Sequence, residues 1–250
     1  QLVIATMAYT NPGDKIIIQT PVYPPFYSVV KENGRQLVVN PLLEQNGHYS
    51  MDFDLLAKQA ADPDTKMMIL CHPHNPVGRL WTKEELTKMA DICLSNNVLM
   101  VSDEIHSDLM LFGNKHIPLA SLSPEIADRT LTLMAPSKTF NIAGFSTSFA
   151  IIKNKQLMAD YRRVLASLHM YTGNVFGALA MEAAYTHGEA WLEELLAYLQ
   201  QNVERVNAFL AANMPDVTAS PIEATYLMWL DFRRLELTQA QLRDLIVNKA

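Results

Sequence analysis

Cysteine is almost absent from this chain: Cys71 and Cys93 are the only two in 250 residues. Both sit in apolar surroundings, and a single pair does not make the disulfide framework that small secreted domains depend on, so a reducing, cytoplasmic compartment is expected. Long apolar runs are missing too. None approaches the ~20 residues of a membrane span, and no basic-then-apolar secretory leader is seen. Nor is there a run of Lys or Arg long enough to track a phosphate backbone. Twenty basic residues stand against 26 acidic ones, a net charge of −6, and nucleic acid is not an expected partner. Internal repeats, low-complexity segments and flexible linkers are likewise lacking.

What remains is a globular composition, 49% apolar and 18% charged, enough to bury one large core or two modest ones. Thirteen methionines are most economically core filler. The segment Cys71-His72-Pro73-His74 brings a thiol and two imidazoles together, which invites a metal reading. Pro73 stiffens that segment, however, and no second cluster has zinc-type spacing, so no metal is expected. His48, His116, His169 and His187 have no paired motif residues and read as structural or solvated.

Apolar periodicity organises the chain. Ile16-Ile17-Ile18-Gln19-Thr20 reads as a strand closed by Pro21, followed by a helix ending at Gly34 and a second strand at Leu37-Val38-Val39. A helix from Asp52 to about Ala61 precedes Lys66-Met67-Met68-Ile69-Leu70-Cys71, a continuous apolar strand of the kind buried on both faces. Thr82-Lys83-Glu84-Glu85 is a capping box that opens an amphipathic helix through about Asn96, with Leu86, Met89, Ala90 and Cys93 at helical spacing. Val98-Leu99-Met100-Val101 is the next strand, ending at Ser102-Asp103, and residues 130–134 and 148–152 are two more, flanking a loop that holds Lys138.

This alternation predicts an α/β fold: a three-layer, mostly parallel sheet with helices on both faces. Long helices follow at 154–168, about 173–187 and Glu189 to about Asn213. Short strands at 217–219 and 225–231 and a helix from Thr238 then read as part of a smaller α+β domain. The expected division is a large domain over 1–165, connecting helices over 166–213 and the start of a small carboxyl-terminal domain over 214–250. Gln1 opens inside an apolar, helical-looking stretch and Lys249-Ala250 closes in another, so both ends are expected to be cut.

In such sheets functional residues collect just past the carboxyl ends of strands. Asn75, Asp103 and Lys138 all fall there. Singly each has an ordinary reading: Asn75-Pro76 is a turn signal, Asp103 a capping or surface carboxylate, Tyr23 a packed aromatic and Lys138 a surface lysine. The set is different, because an amide, a carboxylate, an imidazole and a lysine each close an apolar run in order along one α/β pattern.

Four strings carry a resemblance: Thr20-Pro21-Val22-Tyr23-Pro24-Pro25-Phe26, His74-Asn75-Pro76-Val77-Gly78-Arg79, Ser102-Asp103-Glu104-Ile105-His106-Ser107-Asp108 and Ala135-Pro136-Ser137-Lys138-Thr139-Phe140-Asn141-Ile142-Ala143-Gly144. Together they resemble the class I/II aminotransferase superfamily of fold-type I pyridoxal-phosphate enzymes, and within it the carbon–sulfur β-lyase branch that includes cystathionine β-lyases of the maltose-regulon modulator type. The resemblance covers essentially the whole chain. Asp-Glu-Ile-His and Pro-Ser-Lys-Thr-Phe-Asn are the strings specific to that branch.

The resemblance implies pyridoxal 5'-phosphate as cofactor, with Lys138 as the Schiff-base lysine and catalytic base. It implies Asp103 as the anion for the ring nitrogen, Asn75 and His106 as donors to the phenolic oxygen, Tyr23 as the stacking aromatic, and Ser137 as a hydroxyl near the phosphate. His106 occupies the position that is tyrosine in many aminotransferases. Where many relatives place a phosphate-binding arginine after the lysine, this chain has Ser146, which leaves the phosphate to neutral donors. An amino-terminal region with further phosphate contacts is expected before Gln1, and the arginine for the substrate carboxylate beyond Ala250. A fragment lacking both is expected to be inactive by itself.

The function implied is β-elimination from cystathionine or a related L-cysteine S-conjugate. An aminotransferase shares every step through the carbanion, and a regulatory protein-binding role is the alternative of another class. A small amino-acid substrate and a homodimer are the implied partners, with the Met170-Tyr171-Thr172-Gly173-Asn174 turn either near the subunit boundary or a plain helix junction.

Overall fold

The computed structural model describes residues 1–170 and 173–249. Tyr171 and Thr172, within the turn considered for a subunit boundary, and Ala250 lie outside the described residues. The first half of the chain alternates as expected: α1 (Leu2–Tyr9), β1 (Lys15–Thr20), α2 (Pro25–Lys31), β2 (Gln36–Pro41), then a hairpin of β3 (Leu43–Gln45) and β4 (His48–Ser50), α3 (Phe53–Ala60), β5 (Thr65–Cys71), α4 (Lys83–Ser95) and β6 (Leu99–Asp103). After these come α5 (Pro124–Asp128), β7 (Thr130–Met134), α6 (Pro136–Thr139), β8 (Phe149–Ile152), α7 (Lys155–Ser167), α8 (Val175–His187), α9 (Glu189–Asn213), β9 (Thr218–Ala219), β10 (Leu230–Asp231) and α10 (Gln239–Asp244).

Six strands form one sheet in the order β2-β1-β5-β6-β7-β8. The first five run parallel and β8 pairs antiparallel to β7 at the edge. Along β5 the side chains alternate between two cores. Met68 and Leu70 join Leu56 of α3 and Leu86, Met89 and Cys93 of α4, while Met67, Ile69 and Cys71 join Ile4, Phe26, Val30 and Tyr161 of α1, α2 and α7. A strand covered on both faces has no polar side, which is why its sequence is an unbroken apolar run. Both halves of the capping box form: Glu85 N–H donates to Thr82 Oγ1 at 3.2 Å and Thr82 N–H to Glu85 Oε2 at 2.9 Å. Asp52 caps α3 through the Leu55 N–H at 2.9 Å.

Three local features differ from the sequence reading. The hairpin β3–β4 was not anticipated, although its turn, Asn46-Gly47, has positive φ at both residues (54° and 80°), the signature of an Asn-Gly hairpin turn. The expected loop around Lys138 is instead the short helix α6, started by Pro136, whose ring pre-sets the helical φ. The third difference is the expected strand over 225–231, of which only Leu230–Asp231 pairs, with Thr218–Ala219.

The residues at the start of the expected strand and just ahead of it bond elsewhere. Glu223 N–H donates to Gly78 O at 2.9 Å and Thr225 N–H to Leu109 O at 2.8 Å. The bond from Thr225 to the loop after β6 has outcompeted the β propensity at the start of Thr-Tyr-Leu-Met-Trp, and Leu227 N–H turns in to Thr225 Oγ1 at 3.3 Å. Arg79 strengthens the same junction: its buried guanidinium meets both Glu85 oxygens (3.0 and 2.9 Å) and Glu223 at 2.5 Å.

Gly78 is what allows this close approach. Its φ is +75°, and an added Cβ would stand 2.9 Å from Ile222 Cγ1 and 3.3 Å from Ile222 Cα. Gly78→Ala is expected to destabilise the protein by about 1–3 kcal/mol, read as a lower denaturation midpoint with an unchanged slope.

Candidate active site

Because β5, β6 and β7 run parallel, their carboxyl ends share one edge of the sheet, and the residues that follow them are brought together there. β5 ends at Cys71 and leads to Asn75. Asp103 is the last residue of β6, with His106 following, and β7 ends at Met134 ahead of Ser137 and Lys138 on α6. The loop after β1 adds Tyr23 at the same edge, with the Lys138 amine 6.0 Å from the centre of its ring.

Asp103 points to the face that carries α1, α2 and α7, since the alternate strand residues Leu99 and Val101 belong to that core. It is buried, and among the described residues its carboxylate accepts only a long bond from the Ile105 N–H, 3.4 Å. Burial pushes its carboxyl up to about 6, with Lys138 among the charges that pull it back. A cavity of about 270 Å³ opens beside it, lined by Ile105, Leu133, Ser148, Val29 and the first residues of α1.

His106 is 2% exposed, and neither ring nitrogen has a hydrogen-bond partner among the described residues. Burial first and the Lys138 charge second hold its pKa down to about 4. At neutral pH the ring therefore carries one N–H donor and one acceptor. Leaving such atoms buried and unpaired is costly unless something else meets them.

Other residues hold this edge in place. His74 Nε2–H donates to Pro21 O at 2.8 Å, which ties the Asn75 turn to the Tyr23 turn, and burial keeps that imidazole neutral, with its pKa near 4. Thr139 Oγ–H donates to Asp108 Oδ2 at 2.7 Å. Phe140 packs against Tyr185 and Trp191, with ring centres 5.5 and 5.9 Å apart. These two contacts anchor α6 on either side and so hold Lys138 against the loop after β6.

Glu104 faces the opposite layer, where its carboxylate accepts from Ser102 Oγ (2.8 Å), Leu119 N–H (3.1 Å) and His116 Nε2 (2.7 Å). His116 is thus structural. Asn75 is half-buried and its N–H donates to Cys71 Sγ at 3.4 Å; Ser137 is half-buried beside Lys138. Sequence reasoning missed the supporting roles of His74, Asp108 and Thr139. Asp108 and Thr139 lie inside the quoted strings, but nothing in their spacing says that they meet.

Comparison with known proteins shows the family of the fold that carries this edge. The fold is that of cystalysin from Treponema denticola, whose structure contains a pyridoxal 5'-phosphate cofactor: the TM-score is 0.97 at 38% identity, covering 99% of this chain and 63% of that one. Residues 1–249 match the family model for aminotransferase class I and II, and the chain belongs to that family. Among named relatives it is 46% identical over 248 residues to cystathionine beta-lyase PatB of Bacillus subtilis, covering 99% of this chain and 64% of PatB. It is 32% identical to protein MalY of Escherichia coli, covering 96% of this chain and 61% of MalY. The chain thus spans less than two thirds of the length of these relatives.

Among the described residues no group of His, Cys, Asp and Glu is arranged to hold a metal ion. Among the described residues no helix is long and apolar enough to cross a membrane.

Proposed function

We propose that this chain carries the cofactor-holding core of a pyridoxal-phosphate-dependent carbon–sulfur β-lyase, which converts cystathionine or a related L-cysteine S-conjugate and water to a thiol, pyruvate and ammonia. The observation that carries the reading is a set of polar groups in want of a ligand: Asp103, buried with a raised pKa, and His106, buried with neither nitrogen bonded among the described residues, near enough to Lys138 to feel its charge. An anion that faces a protonated ring nitrogen, a neutral imidazole that faces a phenolic oxygen and an amine that meets an aldehyde are the complements of pyridoxal phosphate, so the residues fit the group. The choice of carbon–sulfur cleavage is supported by the likeness to relatives named cystathionine beta-lyase.

When bound, pyridoxal phosphate supplies an electron sink for negative charge at the substrate α-carbon. Lys138 is the residue that would hold it. The same amine would accept the α-proton and return a proton to the departing thiolate. Asp103 would keep a proton on the ring nitrogen, and a cation there would relieve the cost of its own burial. His106 and Asn75 would donate to the phenolic oxygen, Tyr23 would lay its ring against the cofactor and Ser137 would donate to the phosphate.

The protein in full, loaded with cofactor, is expected to release pyruvate from cystathionine, followed by a coupled lactate dehydrogenase assay. Cofactor bound with no pyruvate released would sink the lyase reading, and transfer of the amino group to a keto acid in its place would establish an aminotransferase.

The same proposal takes residues 1–165 as the cofactor-binding domain, 166–213 as connecting helices and 214–250 as the start of a small domain, in a cytoplasmic homodimer. The apolar side chains that α8 leaves exposed, among them Val175, Phe176 and Leu179, support the dimer.

A further inference from the structure

Tyr226 belongs to none of the strings that carry the family resemblance, yet the fold spends conformational strain to place it. Ala224 and Thr225 are fully buried, whereas the Tyr226 side chain that follows is 41% exposed. Thr225 has φ +74°. A β-branched residue adopts that left-handed conformation only when its surroundings hold it there, and such outliers gather at functional sites.

The restraints come from the loops that carry the site. Thr225 N–H donates to Leu109 O at 2.8 Å and Leu111 N–H to Glu223 O at 3.0 Å, both on the segment that follows His106. Glu223 and Ala224 N–H donate to Gly78 O at 2.9 and 3.2 Å, on the segment that follows Asn75. What these bonds position is the Tyr226 ring, which meets His106 edge-on at 66°, ring centres 5.4 Å apart. His106 is in turn close enough to Lys138 to feel its charge. A rigidly held aromatic that stays half in solvent contributes little to the core. At this place it is a polarisable apolar wall, suited to thioether sulfur and to aromatic substituents.

We infer that Tyr226 is a specificity-determining residue of the Lys138 site, its ring contacting the sulfur-linked substituent of the substrate, an assignment that rests on the lyase reading above. The substrate class it favours is L-cysteine conjugates whose sulfur carries a bulky apolar or aromatic group.

The test uses the full-length holoenzyme with S-methyl-L-cysteine and S-benzyl-L-cysteine. Tyr226→Ala is expected to raise KM for the benzyl conjugate about tenfold more than for the methyl one, with kcat for the methyl conjugate within about threefold, while Tyr226→Phe keeps the wild-type ratio. Tyr226→Leu gives the same contrast with less loss of volume should the alanine variant not fold. Equal changes for the two conjugates, or none, overturn the assignment.

Dissociation constants read from cofactor absorbance give the same comparison without turnover. Absence of pyruvate from any conjugate sinks the lyase reading alone. A benzyl-to-methyl ratio of dissociation constants that is the same in Tyr226→Ala as in the wild type sinks the assignment of Tyr226.

Discussion

Lys138→Ala is expected to lower pyruvate release by the full-length holoenzyme by about 10³-fold or more, since on the proposed mechanism one amine would both hold the cofactor and move the α-proton, and general base catalysis alone contributes typically 10²–10⁴. Stability should change little, within about 0.5 kcal/mol, because the lysine is half-buried and its helix is anchored by Thr139 and Phe140 rather than by Lys138. Borohydride reduction followed by peptide mapping should leave the cofactor on the peptide that contains Lys138 in the wild type and on no peptide in the variant. A third readout is independent of turnover. The Lys138 charge helps to depress His106, so in cofactor-free Lys138→Ala the His106 pKa, followed by NMR, is expected to rise from about 4. Retained activity, or a label on another lysine, would remove Lys138 from the centre of the site.

Asp103→Asn is expected to act in opposite directions on stability and on turnover. In the cofactor-free protein the carboxyl titrates near 6 against an ordinary value of 3.8. Between those two values the folded state binds more protons than the unfolded one, so the contribution of Asp103 to stability falls as pH rises through that window and stays low above it. The difference corresponds to about 3 kcal/mol. Asparagine cannot ionise, and its amide oxygen still accepts from Ile105.

Cofactor-free Asp103→Asn should therefore be more stable than the wild type near pH 7.5, by up to about 3 kcal/mol, and equal to it near pH 4, by denaturant midpoints at the two pH values. With cofactor loaded, the same change removes the anion that would hold the ring-nitrogen proton, and turnover should fall by about 10²-fold or more. A variant that is less stable at neutral pH and active when loaded would show that Asp103 is a structural carboxylate.

Much of this was legible without coordinates, for reasons that differ from place to place. β5 was readable because a strand buried on both faces must be apolar throughout. α4 was readable because a capping box is a local chemical contract between Thr82 and Glu85. The edge that gathers Asn75, Asp103 and Lys138 followed from strand and helix alternation, since parallel strands put their carboxyl ends on one side. The strand expected at 225–231 failed for an equally definite reason. Its first backbone donor, Thr225 N–H, went to Leu109, and the two residues ahead of it, Glu223 and Ala224, gave theirs to Gly78; these partners lie more than a hundred residues away along the chain, and no local pattern encodes such a choice.

The division between sequence and structure runs through the site itself. The order and type of the chemical groups, their attachment to strand ends and the family to which the chain belongs are determined by local periodicity and by short strings of residues. Which of those groups lack partners, how far burial shifts Asp103 and His106, and that Tyr226 is carried back against His106 were decided only by tertiary structure. Desolvation, unpaired nitrogens and a strained backbone depend on what surrounds a residue in space, and those surroundings come from segments far apart along the chain.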